Sequence, residues 1–195
     1  METKRIVFVG VGGQGNLLVT RLLGEACLAA GIPAVLSEIH GMAQRGGAVQ
    51  SHLRLSQDQV YSDLIPKGYA DMLLSVEPLE SLRMVDYLKP DSTVIVNDYP
   101  IPPVAVTTGQ ADYPTPGQSA EILEAASARV YRLNFTERAQ QLGSVKVVNI
   151  MLLGALSSLL KIPEKVWVQT IERYVPAKLL EVNRRAFSAG RELLS

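Results

Sequence analysis

A ten-residue stretch at positions 38–47 combines the residue types of a loop that contacts another molecule. It reads Glu-Ile-His-Gly-Met-Ala-Gln-Arg-Gly-Gly. Its three glycines permit unusual backbone angles and close approach of a second group. Gln44 supplies an amide, and Arg45 supplies a guanidinium that can hold a planar or phosphate anion through two hydrogen bonds. We predict a surface loop that binds a ligand or a partner, and the alternative is a glycine-rich turn with a solvated arginine.

Individual residues of this stretch have candidate roles. A free imidazole has a pKa of about 6.5, so His40 is a candidate proton carrier or a hydrogen-bonding spacer. Glu38 is a candidate to orient His40, to bind a ribose hydroxyl, or only to end a strand. The residues predicted to contact a ligand or a partner are His40, Gly41, Met42, Gln44, Arg45, Gly46 and Gly47.

A second glycine-rich stretch follows the first apolar run of the chain. The residues Gly10, Gly12, Gly13, Gln14 and Gly15 form a G-x-G-x-x-G turn between a predicted strand and a predicted helix. Free backbone N–H groups at a helix start attract anions, and glycine lets an anion approach closely. Together with the later acid at Glu38, the turn is typical of a dinucleotide site. Because Gln14 adds a bulky amide, binding of a partner's carboxylate and a turn that serves packing alone both remain open.

The surrounding elements predict an α/β fold with a three-layer, Rossmann-like sheet. Strand 5–9, a helix over about 14–30 and strand 34–39 form a βαβ unit. Residues 48–55 alternate between apolar and polar, which predicts a half-exposed strand, antiparallel or at an edge, with His52 on its exposed face. The remaining strands are predicted at 71–76, 93–97 and 129–133, so the sheet is mostly parallel.

The helices and one irregular segment complete this prediction. Glu77-Pro78 opens a helix, because proline fits the first helical position. Residues 99–118 are rich in proline and predict an irregular segment around at most a short strand at Val104–Thr107, either a docking surface with Tyr99 and Tyr113 or an ordered loop. A further helix is predicted at 118–127. The C-terminal third is helical, with a buried helix at 150–160 followed by helices at 164–174 and from 176 to about 194.

Composition limits what the chain can do alone. Its 195 residues predict a single domain, 1–195. The charges balance, with 19 basic and 19 acidic residues, so no electrostatic footprint for nucleic acid is present. No apolar run is long enough to span a bilayer. Cys27 is the only cysteine, which excludes an internal disulfide and leaves too few ligands for an iron–sulfur cluster or a structural zinc. We expect a cytoplasmic protein.

The two glycine-rich stretches together resemble a known family. Residues 9–15 and 37–47 are similar to the gamma subunit or domain of the 2-oxoacid:ferredoxin oxidoreductases, and within that family to the small (beta) subunits of the indolepyruvate type. The resemblance extends to 149–155 in the late helix and to 175–178 and 181–187 in the closing helix. It therefore covers nearly the whole chain.

The resemblance implies a division of labour between subunits. A larger partner subunit would carry thiamine diphosphate, Mg and 4Fe-4S clusters, and the complex would convert an aryl pyruvate to an acyl-CoA and pass electrons to ferredoxin. This chain would bind none of these groups tightly and would be inactive alone. It would help to shape the coenzyme A site, where Arg45 would pair with a phosphate or with a partner's acid. The alternatives are a stand-alone NAD(P)-binding enzyme and a nucleotide-sensing regulatory module.

Overall fold

The computed structural model describes residues 3–12, 15–41, 47–58 and 60–194, without the side chain of His40. The strands in this part of the chain are β1 (Lys4–Val11), β2 (Ala34–His40), β3 (Ala48–Leu55), β4 (Ala70–Ser75), β5 (Leu88–Asn97) and β6 (Arg129–Leu133). The helices are α1 (Asn16–Ala29), α2 (Pro78–Leu82), α3 (Val104–Thr107), α4 (Pro116–Ala126), α5 (Phe135–Gln141), α6 (Val148–Ser158), α7 (Glu164–Tyr174) and α8 (Ala177–Glu192). Short 3₁₀ turns lie at Val85–Tyr87 and Val145–Val147.

The strands form one sheet in the order β2-β3-β1-β4-β5-β6. β1, β4, β5 and β6 are parallel to one another, whereas β3 is antiparallel to both β1 and β2. The mostly parallel α/β prediction is therefore confirmed, and β3 is antiparallel as one of the two alternatives stated. β3 does not lie at an edge, because it inserts between β1 and β2 and leaves β2 as the edge strand.

Helices cover both faces of the sheet and give the predicted three layers. On one face, Phe8 of β1 packs in the same apolar core as residues of α1, α5, α6, α7 and α8. On the other, Val7 and Val9 pack with Leu123 of α4. β1 can serve both cores because successive side chains of a strand point to opposite faces.

The predicted burial of the late helix is confirmed, since every residue of α6 from Asn149 to Ser157 is buried. α6 packs against α8 with the two backbones in contact. A Cβ atom added to Gly154 would overlap the carbonyl group of Phe187, and one added to Gly190 would overlap that of Met151. Glycine at both positions is therefore what allows the two helices to approach this closely.

Two local predictions are wrong. The short strand expected at Val104–Thr107 is a single helical turn, in which the N–H groups of Val106 and Thr107 both bond to the carbonyl oxygen of Pro103. His52 is buried, not exposed, because the chain around Ile65 covers that face of β3. In the part of the chain that the structure describes, no helix is both long and apolar enough to cross a membrane.

Candidate functional site

The described ends of the two glycine-rich stretches meet at the carboxyl end of β1. Val11 lies opposite Ala48 in the sheet, and the N–H of Gly12 donates to the carbonyl oxygen of Gly47 at 2.8 Å. The N–H of Gly41 donates to the carbonyl oxygen of Ala48 at 3.2 Å. The antiparallel insertion of β3 thus places the end of β1, the start of β3 and the end of β2 side by side, and we call this region the glycine-rich face.

Several predicted site residues fall outside the described residues. These are Gly13, Gln14, Met42, Gln44, Arg45 and Gly46, and the side chain of His40 is also not described. Their roles stay predictions. Gly10, Gly12, Gly15, Gly41 and Gly47 are described, and all lie at or beside the glycine-rich face.

Two glycines of the first stretch are required by the fold itself. A Cβ atom at Gly10 would lie 2.6 Å from Nδ2 of Asn16 and 2.5 Å from a methyl group of Val76. Gly15 precedes α1 with a φ of 79°, in the left-handed region that favours glycine. Side-chain packing at Gly10 and backbone conformation at Gly15 therefore explain part of the G-x-G-x-x-G pattern without a ligand.

An amide pair joins this turn to the late helix. Nδ2 of Asn149 donates to Oδ1 of Asn16 at 3.1 Å, and both side chains are buried. Nδ2 of Asn16 has no hydrogen-bond partner among the described residues. Asn149 lies in the stretch 149–155 that carries the family resemblance, whereas Asn16 was not among the predicted site residues, although its position immediately after Gly15 was the available signal.

A cavity of about 490 Å³ opens beside this pair, at the carboxyl end of the sheet. We call it the carboxyl-edge cavity. Its polar lining includes Gly15, Asn97, Tyr99, Thr136, Lys146 and Asn149. The first residues of α6 and the residue preceding α1 both line it, so two helix N-termini converge there with one lysine. Helix N-termini and an ammonium group all favour an anion.

Asn97 fixes one wall of the carboxyl-edge cavity. Its Nδ2 donates to the carbonyl oxygen of Val76 at 3.0 Å and to Oγ1 of Thr136 at 2.9 Å. Its Oδ1 accepts from the N–H of Thr136 at 3.1 Å. Both the NH₂ group and the carbonyl oxygen of this buried amide are hydrogen-bonded within the protein, so Asn97 acts as a rigid support.

Glu77 fastens the proline-rich segment to the same edge. Its Oε2 accepts from the N–H of Glu80 at 2.9 Å and so caps α2. Its Oε1 accepts from the N–H of Ile101 at 3.2 Å and from the hydroxyl of Tyr113. Burial, followed by this hydrogen bond to Glu77, raises the pKa of Tyr113. The sequence predicted the helix start at Glu77 and either a docking surface or an ordered loop for the segment with Tyr113. It did not predict the hydrogen bond between these two residues.

The pKa of the neighbouring carboxyl group of Glu80 is also shifted. Burial raises the pKa of Glu80, the charge of Glu77 raises it further, and Arg83 opposes this shift. Oε1 of Glu80 lies 3.2 Å from Arg83. We read this arrangement as structural support for α2.

Glu38 is half-buried and accepts a hydrogen bond from the hydroxyl of Thr20 in α1 at 3.1 Å. This contact links the end of β2 to α1. It shows one structural use of the carboxylate, and orientation of His40 by Glu38 stays a prediction.

His52 belongs to the interior. Its Nδ1 accepts from the N–H of Ile65 at 3.1 Å, and its ring meets Tyr87 edge-on with 5.4 Å between centroids. Burial lowers the pKa of His52, so the neutral ring with its proton on Nε2 suits this environment.

The described residues contain no group of three or more His, Cys, Asp or Glu side chains arranged to hold a metal ion. Cys27 is buried in the main core, and burial raises the pKa of its thiol to about 12. A protonated, enclosed thiol is neither a metal ligand nor a nucleophile.

Comparison with known proteins gives matches along almost the entire chain. Residues 5–193 match the family model described as pyruvate ferredoxin/flavodoxin oxidoreductase. The chain is 41% identical over 193 residues to "Indolepyruvate oxidoreductase subunit IorB" of Thermococcus kodakarensis, covering 97% of this chain and 95% of that protein.

Solved structures share the fold. The gamma subunit of a keto/oxoacid ferredoxin oxidoreductase from Geobacter sulfurreducens superposes with a TM-score of 0.72 at 25% identity, over 98% of each chain. A 2-oxoglutarate:ferredoxin oxidoreductase from Magnetococcus marinus, solved with 2-oxoglutarate, coenzyme A and succinyl-CoA bound, gives a TM-score of 0.76 at 20% identity. It matches all of this chain with 31% of its own length. Because the identity is only 20%, the likeness is one of fold alone.

Proposed function

Because the chain belongs to the pyruvate ferredoxin/flavodoxin oxidoreductase family, we propose that it serves in an enzyme whose substrate is an aryl pyruvate of the indolepyruvate class. The prediction of a small subunit of a 2-oxoacid:ferredoxin oxidoreductase is confirmed by these matches. The single observation that supports the aryl pyruvate assignment is the 41% identity to the Thermococcus kodakarensis subunit, which extends over both chains almost completely.

Within this proposal, the redox groups belong to a larger partner subunit. A 4Fe-4S cluster requires about four ligands, mostly cysteine, and this chain offers one buried, protonated thiol. The residues present therefore do not fit a cluster, and we assign the clusters, Mg and thiamine diphosphate to the partner. Ferredoxin accepts the electrons from that partner, and we place the complex in the cytoplasm.

The role proposed for this chain is docking and ligand positioning. The glycine-rich face presents the carboxyl ends of β1 and β2 and the start of β3 together and contacts the larger subunit. His40 is the proposed hydrogen-bonding spacer or proton carrier at this contact, and Arg45 is the proposed anion contact for the partner or for coenzyme A. This proposal is supported by the bond between Gly12 and Gly47, which joins the two stretches into one surface.

The carboxyl-edge cavity is the proposed place where part of coenzyme A is held at this subunit. Two helix N-termini and Lys146 surround it, which suits a phosphate group. Asn97 and Tyr99 provide a rigid wall for the remainder of the ligand.

One contact argues against the stand-alone NAD(P) enzyme. In a dinucleotide fold the second glycine of the turn lets the backbone approach the pyrophosphate. Here the N–H of Gly12 is already bonded to Gly47. We therefore prefer the subunit role to a dinucleotide-binding or nucleotide-sensing one.

The substrate assignment is tested by the reduction of ferredoxin by the purified complex. We expect coenzyme A-dependent reduction with indolepyruvate at a kcat/KM at least about tenfold above that with 2-oxoglutarate, a difference of about 1.4 kcal/mol. A preference for 2-oxoglutarate would overturn the aryl pyruvate assignment while leaving family membership intact.

A further inference from the structure

A second cavity lies at the opposite, amino end of the sheet. It encloses about 590 Å³ between the amino ends of β1, β4, β5 and β6 and the ends of α1 and α6. We call it the amino-edge pocket. Its volume is in the range that holds a small organic molecule.

The sheet register brings the base of this pocket together. Met72 lies opposite Thr93, and Thr93 lies opposite Arg129, on three neighbouring parallel strands. Neighbouring strands are spaced by about 4.8 Å, so these side chains form a continuous row. Leu160 and Ile32 close the pocket from the helix side and give it an apolar wall.

Positive charge surrounds this apolar interior. Lys4, Arg129 and Lys161 line the pocket, and its lining contains no aspartate or glutamate. In the described ranges, the exposed side chains of Arg129 and Lys161 make no hydrogen bond or ion pair with another residue. An apolar interior with cations at its rim fits a ligand that has an apolar body and an anionic end.

The anion is better matched by a carboxylate than by a phosphate. α1 ends at Ala29 and α6 at Ser158, so both helices direct their C-termini toward this edge. The negative ends of two helix dipoles repel any anion, and they repel a phosphate with two charges more strongly than a carboxylate with one. A guanidinium such as that of Arg129 binds a single carboxylate through two parallel hydrogen bonds. The half-buried ring of Tyr131 adds an aromatic wall.

We propose that the amino-edge pocket is a second ligand site of this subunit and that it binds a small aryl carboxylate. The site is separate from the carboxyl-edge cavity. α6 has 11 residues and extends from one cavity to the other, which corresponds to roughly 16 Å along its axis. The proposal does not depend on the substrate assigned to the complex.

Calorimetric titration of the full chain with indole-3-acetate tests the proposal. We expect saturable binding with one site per chain, no binding of indole, which lacks the carboxylate, and no competition by inorganic phosphate. The variant Arg129→Gln/Lys161→Gln should bind at least about tenfold more weakly. The control Lys165→Gln/Lys178→Gln removes the same charge from exposed positions outside the pocket and should bind as the unchanged chain does.

Melting temperatures of both double variants establish that they are folded before affinities are compared. Absence of saturable binding to the unchanged chain would overturn the proposal. Equal weakening in the two double variants would also overturn it, because binding would then follow net charge and not the pocket. Competition by phosphate would show that the site takes phosphate and would refute the carboxylate assignment.

Discussion

Single side chains at the carboxyl edge hold segments that have little regular structure of their own. Glu77 is the main example, because one buried carboxylate caps α2 and also bonds Ile101 and Tyr113 of the proline-rich segment. Sequence patterns predicted the start of α2, since a helix start at Glu77-Pro78 is a local signal. They did not predict the contact with Tyr113, because its partner is 36 positions away.

Replacing Glu77 should therefore destabilise the fold. Glu77→Ala removes a helix cap and leaves the half-buried hydroxyl of Tyr113 and N–H of Ile101 without their acceptor, which together should lower the free energy of unfolding by about 2–4 kcal/mol. Urea denaturation measures the free energy of unfolding of the variant and of the unchanged chain. The matched control is Glu121→Ala on the exposed side of α4, which should change stability by less than about 0.5 kcal/mol. Equal losses in the two variants would contradict the fastening role of Glu77.

His52 predicts a pH dependence of stability. Burial lowers its pKa in the folded state, so between that pKa and about 6.5 the unfolded chain binds more protons than the folded chain. Stability from this residue is full above about pH 6.5 and is lost as the pH falls through that window. Thermal melts from pH 7.5 to 5 should show a weaker pH dependence in His52→Asn, which retains an acceptor but does not titrate. Identical profiles would show that His52 is not responsible.

At the scale of elements, the sequence predicted the strands of the sheet but not which strands lie next to each other. The alternation in 48–55 indicated a strand that is antiparallel or at an edge, and the first alternative is confirmed, but the pattern does not say which strands lie beside it. β3 pairs with both β1 and β2, and this choice brings the two glycine-rich stretches together. The same limit explains the error at His52, because a polar residue on the outer face of a strand is exposed only if no other segment covers it.

The contact between α6 and α8 gives a prediction at this scale. Gly154→Ala and Gly190→Ala each place a methyl group against the backbone of the other helix, and we expect losses of at least about 3 kcal/mol, at the upper end of the cost of overpacking. Gly24→Ala in α1 is the matched control, since nothing lies within 4 Å of the added atom. It should stabilise the chain by up to about 1 kcal/mol, because alanine is the better helix former. The denaturant midpoints of the three variants measure these changes in stability. Unchanged midpoints for Gly154→Ala and Gly190→Ala would contradict the close backbone contact between α6 and α8.

At the scale of the whole molecule, the chain has the features of a part that assembles with another. Family membership was predicted from two short stretches, because glycine, arginine and histidine at fixed spacing are more specific than any periodic pattern. Details of the carboxyl-edge cavity were not predicted, because Thr136 and Lys146 reach it from segments far from the motifs. Residue contacts of this kind depend on tertiary packing.

The docking role of the glycine-rich face predicts the behaviour of Arg45→Ala. We expect binding of the larger subunit, or use of coenzyme A, to weaken by about tenfold or more, since hydrogen bonds to a charged group contribute about 1.5–3 kcal/mol. The melting temperature of the isolated chain should change by no more than a few degrees. Arg185→Ala on the exposed side of α8 is the control and should affect neither property. A fall of about ten degrees in Arg45→Ala would instead identify that arginine as structural.

The central claim is that this chain positions and docks while another polypeptide carries out the redox chemistry. The most direct measurement is tagged purification of the chain from its source, followed by a ferredoxin-reduction assay on the separated and recombined components. We expect a larger subunit with thiamine diphosphate and iron–sulfur clusters to co-purify, with full activity only in the recombined complex. Full 2-oxoacid oxidation by the separated small chain, or by the larger subunit without it, would contradict the claim.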